Sequence, residues 1–453
     1  MVHRMNPEPN DWIERDLACL WHPYTQMKDC EALAPILIER AEGLCLYDDR
    51  GRMYYDTISS WWCNVHGHNH PMIREAIQRQ LKTLDHVLFA GFTHRPAIEL
   101  AERLAAIAPE ALTRVFYSDN GSTAVEAALK MSLQYWRNVG RPERCRFVGL
   151  DRGYHGDTVG AMSVAGPGAF NEAFAPMLFE AFKVPTPYCY RCPAGRCRDR
   201  CDVECVASLA SLLERHAGEI AAVILEPLLM GAAGMIVYPA EYLRRAAALC
   251  ARHGVHLILD EVATGFGRTG TMFACEQAGV TPDFLCLSKG LTGGTLPFAA
   301  TLTTEAVYRS FYDDDRSKTL YHGHTYTANP VGCAAALASL DIFEREGTLD
   351  RVRDLVPEFH RRMADFKDID RVGDVRCIGL VGAVELVRDR RTREPLDPGL
   401  RTGWHLFRRA LDKGLLLRPL GDVVYLYLPL CVRRDELDEI LDRTYEVLRS
   451  GLK

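Results

Sequence analysis

A lysine and an aspartate each follow a short apolar run of this sequence, and together they could hold one ligand. Lys289 follows Phe284-Leu-Cys-Leu-Ser, and Asp260 follows Val255-His-Leu-Ile-Leu. A buried lysine is costly unless it is neutral, paired or covalently used, and a buried aspartate needs a cationic partner. Pyridoxal phosphate (PLP) meets both needs, because its aldehyde forms a Schiff base with lysine and its pyridinium nitrogen pairs with aspartate. The pair therefore indicates PLP; a surface lysine and a helix-capping aspartate are the alternative.

A phosphate site is indicated by the segment Ser118-Asp-Asn-Gly-Ser-Thr, which lies between a predicted strand and a predicted helix. Gly121 allows a tight turn of the backbone, and Ser122 adds a hydroxyl donor. The free N–H groups and the positive dipole end of a helix N-terminus bind anions. The alternative is an ordinary helix cap, since Asp, Asn and Ser are favoured there without any ligand.

An aromatic residue on a glycine-flanked loop could cover the ring of such a cofactor. The loop is Gly153-Tyr-His-Gly-Asp, and Tyr154 is the aromatic residue. Tyrosine stacks well on flat rings. The alternative is a turn with a half-buried tyrosine and a hydrogen-bonded histidine.

Arg418 ends the strand-like run Leu415-Leu-Leu-Arg, ahead of the turn at Leu420-Gly-Asp. A guanidinium in this position could bind a substrate carboxylate through two parallel hydrogen bonds. A surface arginine at a strand end is the alternative.

The glycines of Gly265-Phe-Gly-Arg-Thr-Gly match the dinucleotide-binding pattern, which would indicate a nicotinamide oxidoreductase. That pattern needs a long helix directly after it. Only Thr271–Ala278 separates these glycines from Gly279, and Pro282 follows soon after. The sequence therefore favours a tight loop here and not a nucleotide site.

Five cysteines lie close together in an apparent loop insertion. Thiolates at such short spacing can bind zinc or an iron–sulfur cluster, and the interleaved arginines are expected to favour thiolates. The spacing is irregular, and five ligands exceed a four-coordinate site. We therefore predict a reduced or adventitiously bridged loop without metal. A metal-binding or redox-sensing protein is the alternative from a different functional class. The cysteines are Cys189, Cys192, Cys197, Cys201 and Cys205.

Composition excludes several other classes. The chain has 453 residues, of which 48% are hydrophobic and 25% charged, and its net charge is −6. These values are typical of a globular protein and argue against a nucleic-acid partner. No apolar run approaches the ~20 residues that cross a bilayer. Since Met1–Asp11 is polar and has no apolar signal core, we expect a cytoplasmic location without membrane contact.

The elements that must position these residues form a mainly parallel, doubly wound α/β sheet. From about residue 112 to 304, short and nearly continuous apolar runs alternate with helical patterns such as Ala124–Trp136. In such sheets ligands bind beyond the carboxyl ends of the strands, where Asp260 and Lys289 fall. The predicted strands are Arg114–Ser118, Arg146–Leu150, Ala221–Glu226, Val255–Glu261, Phe284–Ser288 and Phe298–Thr303.

The remaining sequence predicts a smaller α+β domain built from both chain ends. Amphipathic helices are predicted at Leu355–Phe366 and Leu437–Leu448, and strands at Val381–Leu386 and Val423–Leu428. The predicted parts are 1–75 for the N-terminal part of the small domain, 76–335 for the large domain with the insertion at 185–206, and 336–453 for the C-terminal part.

Four segments resemble the class III, fold-type I PLP-dependent aminotransferases over essentially the whole chain. They are Asp260–Gly270, Leu287–Gly294, Gly153–Thr158 and His322–Pro330. The resemblance implies a homodimer with active sites at the subunit interface.

The resemblance also assigns residues to roles, with Lys289, Asp260 and Tyr154 as the catalytic residues. For the cofactor it implies a Schiff base at Lys289, a pyridinium contact at Asp260, phosphate contacts at Gly121, Ser122 and Thr325 of the partner subunit, and ring contacts at Tyr154 and Val262. For the substrate it implies contacts at Tyr24, Trp61, Gly323 and Tyr425, and a keto-acid carboxylate at Arg418.

Three further segments are similar to one branch of this family, which aminates 8-amino-7-oxononanoate to 7,8-diaminononanoate in biotin biosynthesis. They are Leu20–Lys28, Ser59–Pro71 and Gln134–Trp136. The resemblance implies S-adenosylmethionine as amino donor. His324 stands where that branch has proline, which leaves lysine open as donor, and an aminotransferase for ω-amino acids is a further alternative.

Overall fold

Strands and helices alternate along the chain, which the computed structural model describes from residue 11 to residue 452. The first ten residues of the predicted N-terminal part lie outside this range, as does Lys453. The strands are β1 Ile38–Glu42, β2 Cys45–Asp48, β3 Met53–Asp56, β4 Arg114–Ser118, β5 Arg146–Leu150, β6 Phe182–Val184, β7 Ile220–Leu225, β8 Leu229–Met230, β9 Ile236–Val237, β10 His256–Asp260, β11 Phe284–Leu287, β12 Ala299–Thr303, β13 Val372–Ile378, β14 Val381–Asp389, β15 Glu394–Pro395, β16 Leu415–Leu416 and β17 Val423–Tyr427. The helices are α1 Asp11–Cys19, α2 Ser59–Trp62, α3 Pro71–Leu81, α4 Arg95–Ile107, α5 Gly121–Asn138, α6 Val159–Val164, α7 Ala207–His216, α8 Ala240–His253, α9 Glu305–Arg309, α10 Pro330–Arg345, α11 Thr348–Ala364, α12 Thr402–Asp412 and α13 Arg434–Gly451.

The large sheet has seven strands in the order β4-β12-β11-β10-β7-β5-β6. Only β12 runs antiparallel to its neighbours within this sheet, so the predicted mainly parallel sheet is confirmed. Each predicted strand of this region is present to within two residues at either end. The three-residue edge strand β6 was not predicted, because so short a run has no distinctive pattern.

Burial on both faces explains the continuous apolar runs of the central strands. Every residue of β7, β10, β11 and β12 is buried. Helix α5 lies against β11 and β12 on one face, with Ile258 and Phe284 in that core. Leu257 and Leu285 point into the core of the opposite face together with α8. Alternate side chains of one strand therefore enter two different cores.

Both chain ends contribute to the smaller part of the molecule. The hairpin strands β1, β2 and β3 form one sheet with β16, in which Leu415 lies beside Tyr55. A second small sheet contains β13, β14, β15 and β17. The predicted α/β fold with a small α+β domain from both ends is thus confirmed.

The boundaries of the domains stay predictions. The one between residues 75 and 76 lies inside α3, and the one between 335 and 336 lies inside α10. These two helices contact each other. Every helix within residues 11–452 is too short or too polar to cross a membrane.

Candidate active site

A cavity of about 720 Å³ lies beyond the carboxyl ends of the large sheet and is closed on one side by β17. Most of its lining is aromatic or apolar. Six of the residues predicted from the sequence line this one cavity. They are Tyr24, Trp61, Tyr154, Lys289, Arg418 and Tyr425.

Lys289 lies two residues after the end of β11 and reaches the cavity from a strained backbone. Its φ is +45°, in the left-handed region that non-glycine residues rarely adopt. The preceding Ser288 donates a hydrogen bond to the carbonyl of Phe298, 2.8 Å away, which fixes the turn. The Lys289 Nζ lies 4.8 Å from the ring centroid of Trp62. Burial lowers the pKa of Lys289, and the negative charge of Asp260 partly opposes this shift. The amine is thus biased toward its neutral, nucleophilic form.

Asp260 ends the neighbouring strand β10 and is buried. His155 Nδ1 lies 2.8 Å from Asp260 Oδ2, and the Val262 N–H donates to Oδ1 at 3.1 Å. His155 Nε2 is buried and has no hydrogen-bond partner among the described residues. A buried carboxylate held in this way can accept one further cationic donor. The geometry therefore fits the ring nitrogen of the cofactor.

A tight cradle surrounds the start of α5. An added Cβ at Gly156 would meet Ser122 Oγ at 1.8 Å, and one at Gly121 would meet Val262 Cγ1 at 2.6 Å. Asn120 caps the helix by accepting the Thr123 N–H, which leaves the N–H groups of the two residues between them without an intrahelical partner. Exposed N–H donors at a helix start fit a phosphate group.

Two tyrosines share a carboxylate at the edge of the cavity. Tyr24 donates to Asp157 Oδ1 at 2.6 Å, and Tyr154 donates to the same oxygen at 3.2 Å. Burial, and then the hydrogen bond to Asp157, raise the pKa of Tyr24 to about 12. Burial likewise raises the pKa of Tyr154. Both phenols therefore stay protonated as donors at neutral pH.

Arg418 lies over an aromatic face at the cavity. Its Cζ is 4.9 Å from the ring centroid of Trp61, and its guanidinium donates to the Tyr24 carbonyl at 3.3 Å. Tyr425 lies further in and accepts a hydrogen bond from Trp62 Nε1 at 3.1 Å. Most of the donors of Arg418 remain available for a carboxylate, because a guanidinium carries five N–H groups.

The segment Ser59–Trp62, assigned as α2, is a left-handed turn. All four residues have φ between +45° and +77°. Buried Asp56 holds this turn, because it accepts the Ser60 N–H at 2.8 Å and the Ser60 hydroxyl at 2.7 Å. A strained backbone of this kind persists only where surrounding contacts hold it in place, and such strain is typical of functional sites.

Gly323 and Thr325 do not line the cavity of their own chain. Both are exposed in a segment that lies along α5. The segment is fixed there by Gln134, which donates to the Thr319 carbonyl at 3.0 Å, and by Lys130, whose Nζ is 3.3 Å from His322 Nδ1. These two predicted residues thus differ from the six that line the cavity of their own chain.

Glu226 and Asp157 are site residues that the sequence analysis missed. Glu226 directly follows β7 and accepts the Tyr154 N–H at 3.0 Å and the Gly231 N–H at 3.1 Å. Burial raises the pKa of Glu226 to about 7. The rule that singled out Asp260, an acidic residue at a buried strand end, applies equally to Glu226. Asp157 carries no comparable signal apart from its place beside Tyr154.

The glycine-rich segment 265–270 is a loop, as predicted. Arg268 within it is buried and donates to the carbonyls of Leu428 and Asn64, each at 2.6 Å. The residues after it form only the short turn Ala274–Ala278 in place of a helix. The loop therefore connects the large sheet to distant segments through hydrogen bonds. The interpretation as a dinucleotide-binding site is wrong.

All sixteen cysteines, which lie between residues 19 and 431, carry free thiols. Those of the insertion surround a void of about 20 Å³. Burial, and then the neighbouring Cys192, raise the pKa of Cys205 to about 11. The expectation that the arginines favour thiolates is thus wrong for Cys205, because burial and neighbouring thiols both raise its pKa. Within residues 11–452, no group of three or more His, Cys, Asp or Glu side chains is arranged to hold a metal ion.

Known proteins are similar to this chain over most of its length. The family model for aminotransferase class-III matches residues 27–448. The adenosylmethionine-8-amino-7-oxononanoate aminotransferase of Geobacter sulfurreducens is 47% identical over 434 residues, which are 95% of each chain.

Solved structures are similar over nearly the whole chain, which confirms the predicted fold-type I class. The enzyme of the same name from Methanocaldococcus jannaschii has a TM-score of 0.93 and 43% identity, covering 98% of this chain and 99% of that one. A PLP-bound amine transaminase from an uncultivated Pseudomonas species has a TM-score of 0.91 and 37% identity, covering 95% and 98%. The chain therefore belongs to the class III aminotransferases, and it is a PLP-dependent transferase of amino groups.

Proposed function

We propose that this enzyme aminates 8-amino-7-oxononanoate to 7,8-diaminononanoate in biotin biosynthesis. The observation that carries the proposal is the lining of the cavity, which combines an amine and a guanidinium with largely apolar walls. Lys289 supplies the amine and Arg418 the guanidinium. A long keto acid with one carboxylate needs this combination, because its chain is apolar and only its two ends are polar. The names of the relatives in Geobacter and Methanocaldococcus support the same reaction.

The residues at the floor of the cavity fit PLP. Lys289 would hold the cofactor covalently, Asp260 would hold its ring nitrogen, and the start of α5 at Gly121 and Ser122 would hold its phosphate. We assign Tyr154 and Val262 to the two faces of its ring. When bound, the cofactor supplies an electron sink that stabilises negative charge on the carbon next to the transferred nitrogen.

The side chains of this chain then perform the proton transfers and the positioning. Lys289 Nζ, whose pKa burial lowers, takes the proton from the amine-bearing carbon of the donor and later returns a proton to the acceptor. Asp260 would face the ring nitrogen, and His155 orients this carboxylate. Trp62 and Tyr425 exclude water around the amine, which strengthens the electrostatic contacts there.

We propose S-adenosylmethionine as the amino donor. The part of the cavity lined by Tyr24, Trp61 and Asp157 combines aromatic faces with a carboxylate. A sulfonium cation is favoured by both kinds of group. Lysine, which is also cationic, is the second candidate donor.

We also propose that the enzyme is a cytoplasmic homodimer in which Gly323 and Thr325 complete the site of the partner subunit. Tyr321 and Tyr326 beside them are 80% and 59% exposed. Large apolar side chains at such exposure are typical of surfaces that a second chain covers. The unpaired thiols are consistent with a reducing compartment.

Half-reactions of the purified PLP-loaded enzyme test the proposed function. S-adenosylmethionine, lysine and an ω-amine without a carboxylate are added separately, and the visible absorbance of the cofactor is followed. We expect loss of that absorbance with S-adenosylmethionine, and its return when 8-amino-7-oxononanoate is then added. Lys289→Ala, the control, should show no turnover with any pair.

Two outcomes would contradict the proposal. If simple ketones restored the absorbance of the cofactor but 8-amino-7-oxononanoate did not, the enzyme would be a general amine transaminase. If Lys289→Ala still turned over the substrates, the Lys289 amine would not be needed for the reaction.

A further inference from the structure

We propose that the cysteine-rich insertion, residues 185–206, is a positioning element that fixes one wall of the substrate cavity. The connection runs from the insertion through Glu385 on β14 and Arg376 on β13 to the backbone of residues 231–235. Since the wall is proposed to contact the long keto acid, this inference rests on the proposed function.

The wall in question is made of backbone. Ala232, Ala233 and Gly234 line the cavity and present no side chain larger than a methyl group. They lie in the turn between β8 and β9, where Met235 donates its N–H to the Gly231 carbonyl at 2.9 Å. The shape of the cavity on this side therefore depends directly on where the turn is held.

The turn is held on its outer side by one buried guanidinium. Arg376 donates from Nε to the Met235 carbonyl at 2.8 Å and from a terminal nitrogen to the Gly234 carbonyl at 2.5 Å. Met235 has φ +54°, a strained value that needs such external contacts to persist. An added Cβ at Gly234 would lie 3.2 Å from Val423, so the turn is also confined on its other side.

Arg376 is in turn oriented by carboxylates, and the insertion orients one of them. Arg376 donates to Glu385 at 2.9 Å and to Asp374 at 2.8 Å. Glu385 accepts two further hydrogen bonds, one from the Tyr188 hydroxyl and one from Arg191 Nε at 2.9 Å. The Tyr188 ring also lies against the guanidinium, with 5.4 Å between its centroid and the Arg376 Cζ.

Two of the three side chains bound to Glu385 thus come from the insertion. A buried arginine stays charged, so its direction follows from the carboxylates that surround it. Loss of a contact from the insertion would let Glu385 and then Arg376 move, and the wall would move with them. A displacement of about 1 Å at a substrate wall is enough to impair binding and orientation.

Tyr188→Phe and Tyr190→Phe form a matched pair that tests this inference. Both remove one hydroxyl from the insertion, but that of Tyr190 has no hydrogen-bond partner among the described residues. We expect Tyr188→Phe to raise KM for 8-amino-7-oxononanoate about fivefold, as loss of one hydrogen bond of typical net strength implies, with kcat and cofactor absorbance nearly unchanged. Amide hydrogen exchange in residues 229–237 should become faster in the same variant. Tyr190→Phe should match the wild type in both measurements.

Arg376→Met should have the larger effect, a KM increase of about 30-fold, because it removes the contacts to the wall directly. Arg144→Met is its control, since Arg144 is also a buried arginine bonded to a backbone carbonyl, that of Gly254 at 2.5 Å, but does not line the cavity. Arg144→Met should lower Tm without raising KM.

Unchanged exchange at residues 229–237 in Tyr188→Phe would overturn the inference, and so would faster exchange with unchanged KM. If the wild type does not use 8-amino-7-oxononanoate at all, the proposed function fails, while the exchange result still tests the connection to the wall. If Arg376→Met does not fold, the KM and the amide exchange of Tyr188→Phe are sufficient to test the inference.

Discussion

Each buried charge beneath the cavity has its partner on a different strand or loop. Asp260 faces His155, and Arg268 reaches two carbonyls of distant segments. Breaking a buried pair costs about 3–5 kcal/mol, so substitutions at these residues would impair folding together with catalysis. Residues at the surface of the cavity can be changed with less effect on the fold, and they are the ones that can separate substrate binding from stability.

Arg418→Met tests the carboxylate contact. We expect KM for the keto acid to rise about 30- to 100-fold, because two charge-assisted hydrogen bonds worth ~2–3 kcal/mol are lost. Steady-state kinetics with the keto acid as varied substrate measures this. Arg401→Met is the control, since Arg401 lies in the adjoining cavity and is already paired with Asp29. An equal rise in KM in both variants would argue against a specific contact at Arg418.

Asp56→Asn should give a pH-dependent loss of stability. Burial opposes ionisation of Asp56, but hydrogen bonds from His68 and Ser60 outweigh it and lower the pKa of Asp56. Because the folded pKa is the lower one, the contribution is complete above the unfolded pKa of about 3.9 and is lost as pH falls through the folded value. Thermal melts between pH 7 and pH 3 should therefore show a Tm difference from wild type that shrinks below pH ~4.

Asp48→Asn separates stability from function in this experiment. Hydrogen bonds from Arg52 and Arg50 outweigh burial and lower the pKa of Asp48, so the pH dependence should have the same sign. Asp48 lies in the β2–β3 hairpin and not under the left-handed turn. Only Asp56→Asn should also raise KM, since Trp61 in that turn lines the cavity. A KM change in both variants would show that general loosening is the cause.

At the scale of elements, the parts of the site on buried strands could be predicted from the sequence. β10 and β11 have distinctive apolar runs, so the positions of Asp260 and Lys289 followed from the rule for parallel sheets. The left-handed turn at Ser59–Trp62 could not be predicted, because hydrogen bonds to buried Asp56 and to the distant Tyr427 carbonyl stabilise it against local preference. The strand-like run at Leu415, by contrast, was visible in the sequence, and its first two residues form β16 beside β3.

Gly156→Ala tests the cradle at the start of α5. Gly156 has φ +113°, and a Cβ would meet Ser122 Oγ at 1.8 Å. Ser122 must then move, and we expect the Kd for PLP to rise at least about tenfold through the lost phosphate contact. Titration of the apoenzyme with PLP measures it. Gly254→Ala is the control, because its φ is +61° with nothing within 4 Å, so it should cost only ~1 kcal/mol of stability. Unchanged PLP affinity in Gly156→Ala would contradict a phosphate site at the start of α5.

At the scale of the whole molecule, one predicted site residue lies outside the cavity of its own chain. Lys289 lines the cavity of its own chain, whereas Thr325 is exposed in a segment along α5. Aromatic side chains around Thr325 are also exposed, among them Tyr321 and Tyr326. In a twofold dimer, one patch contacts its counterpart, and a residue of one chain can complete the site of the other. The separation is therefore expected if the active unit is a dimer with shared sites.

Mixing two inactive variants tests shared sites directly. Lys289→Ala lacks the amine, and Thr325→Glu carries a negative charge where the partner's phosphate would bind. In a mixed dimer, the site with the intact Lys289 receives the intact Thr325 of the other variant and recovers. After co-refolding at equal amounts, half of the dimers are mixed and each has one working site, so we expect about a quarter of the wild-type specific activity. If Thr325 served its own chain, no site would contain both intact residues. The mixture would then stay as inactive as its components.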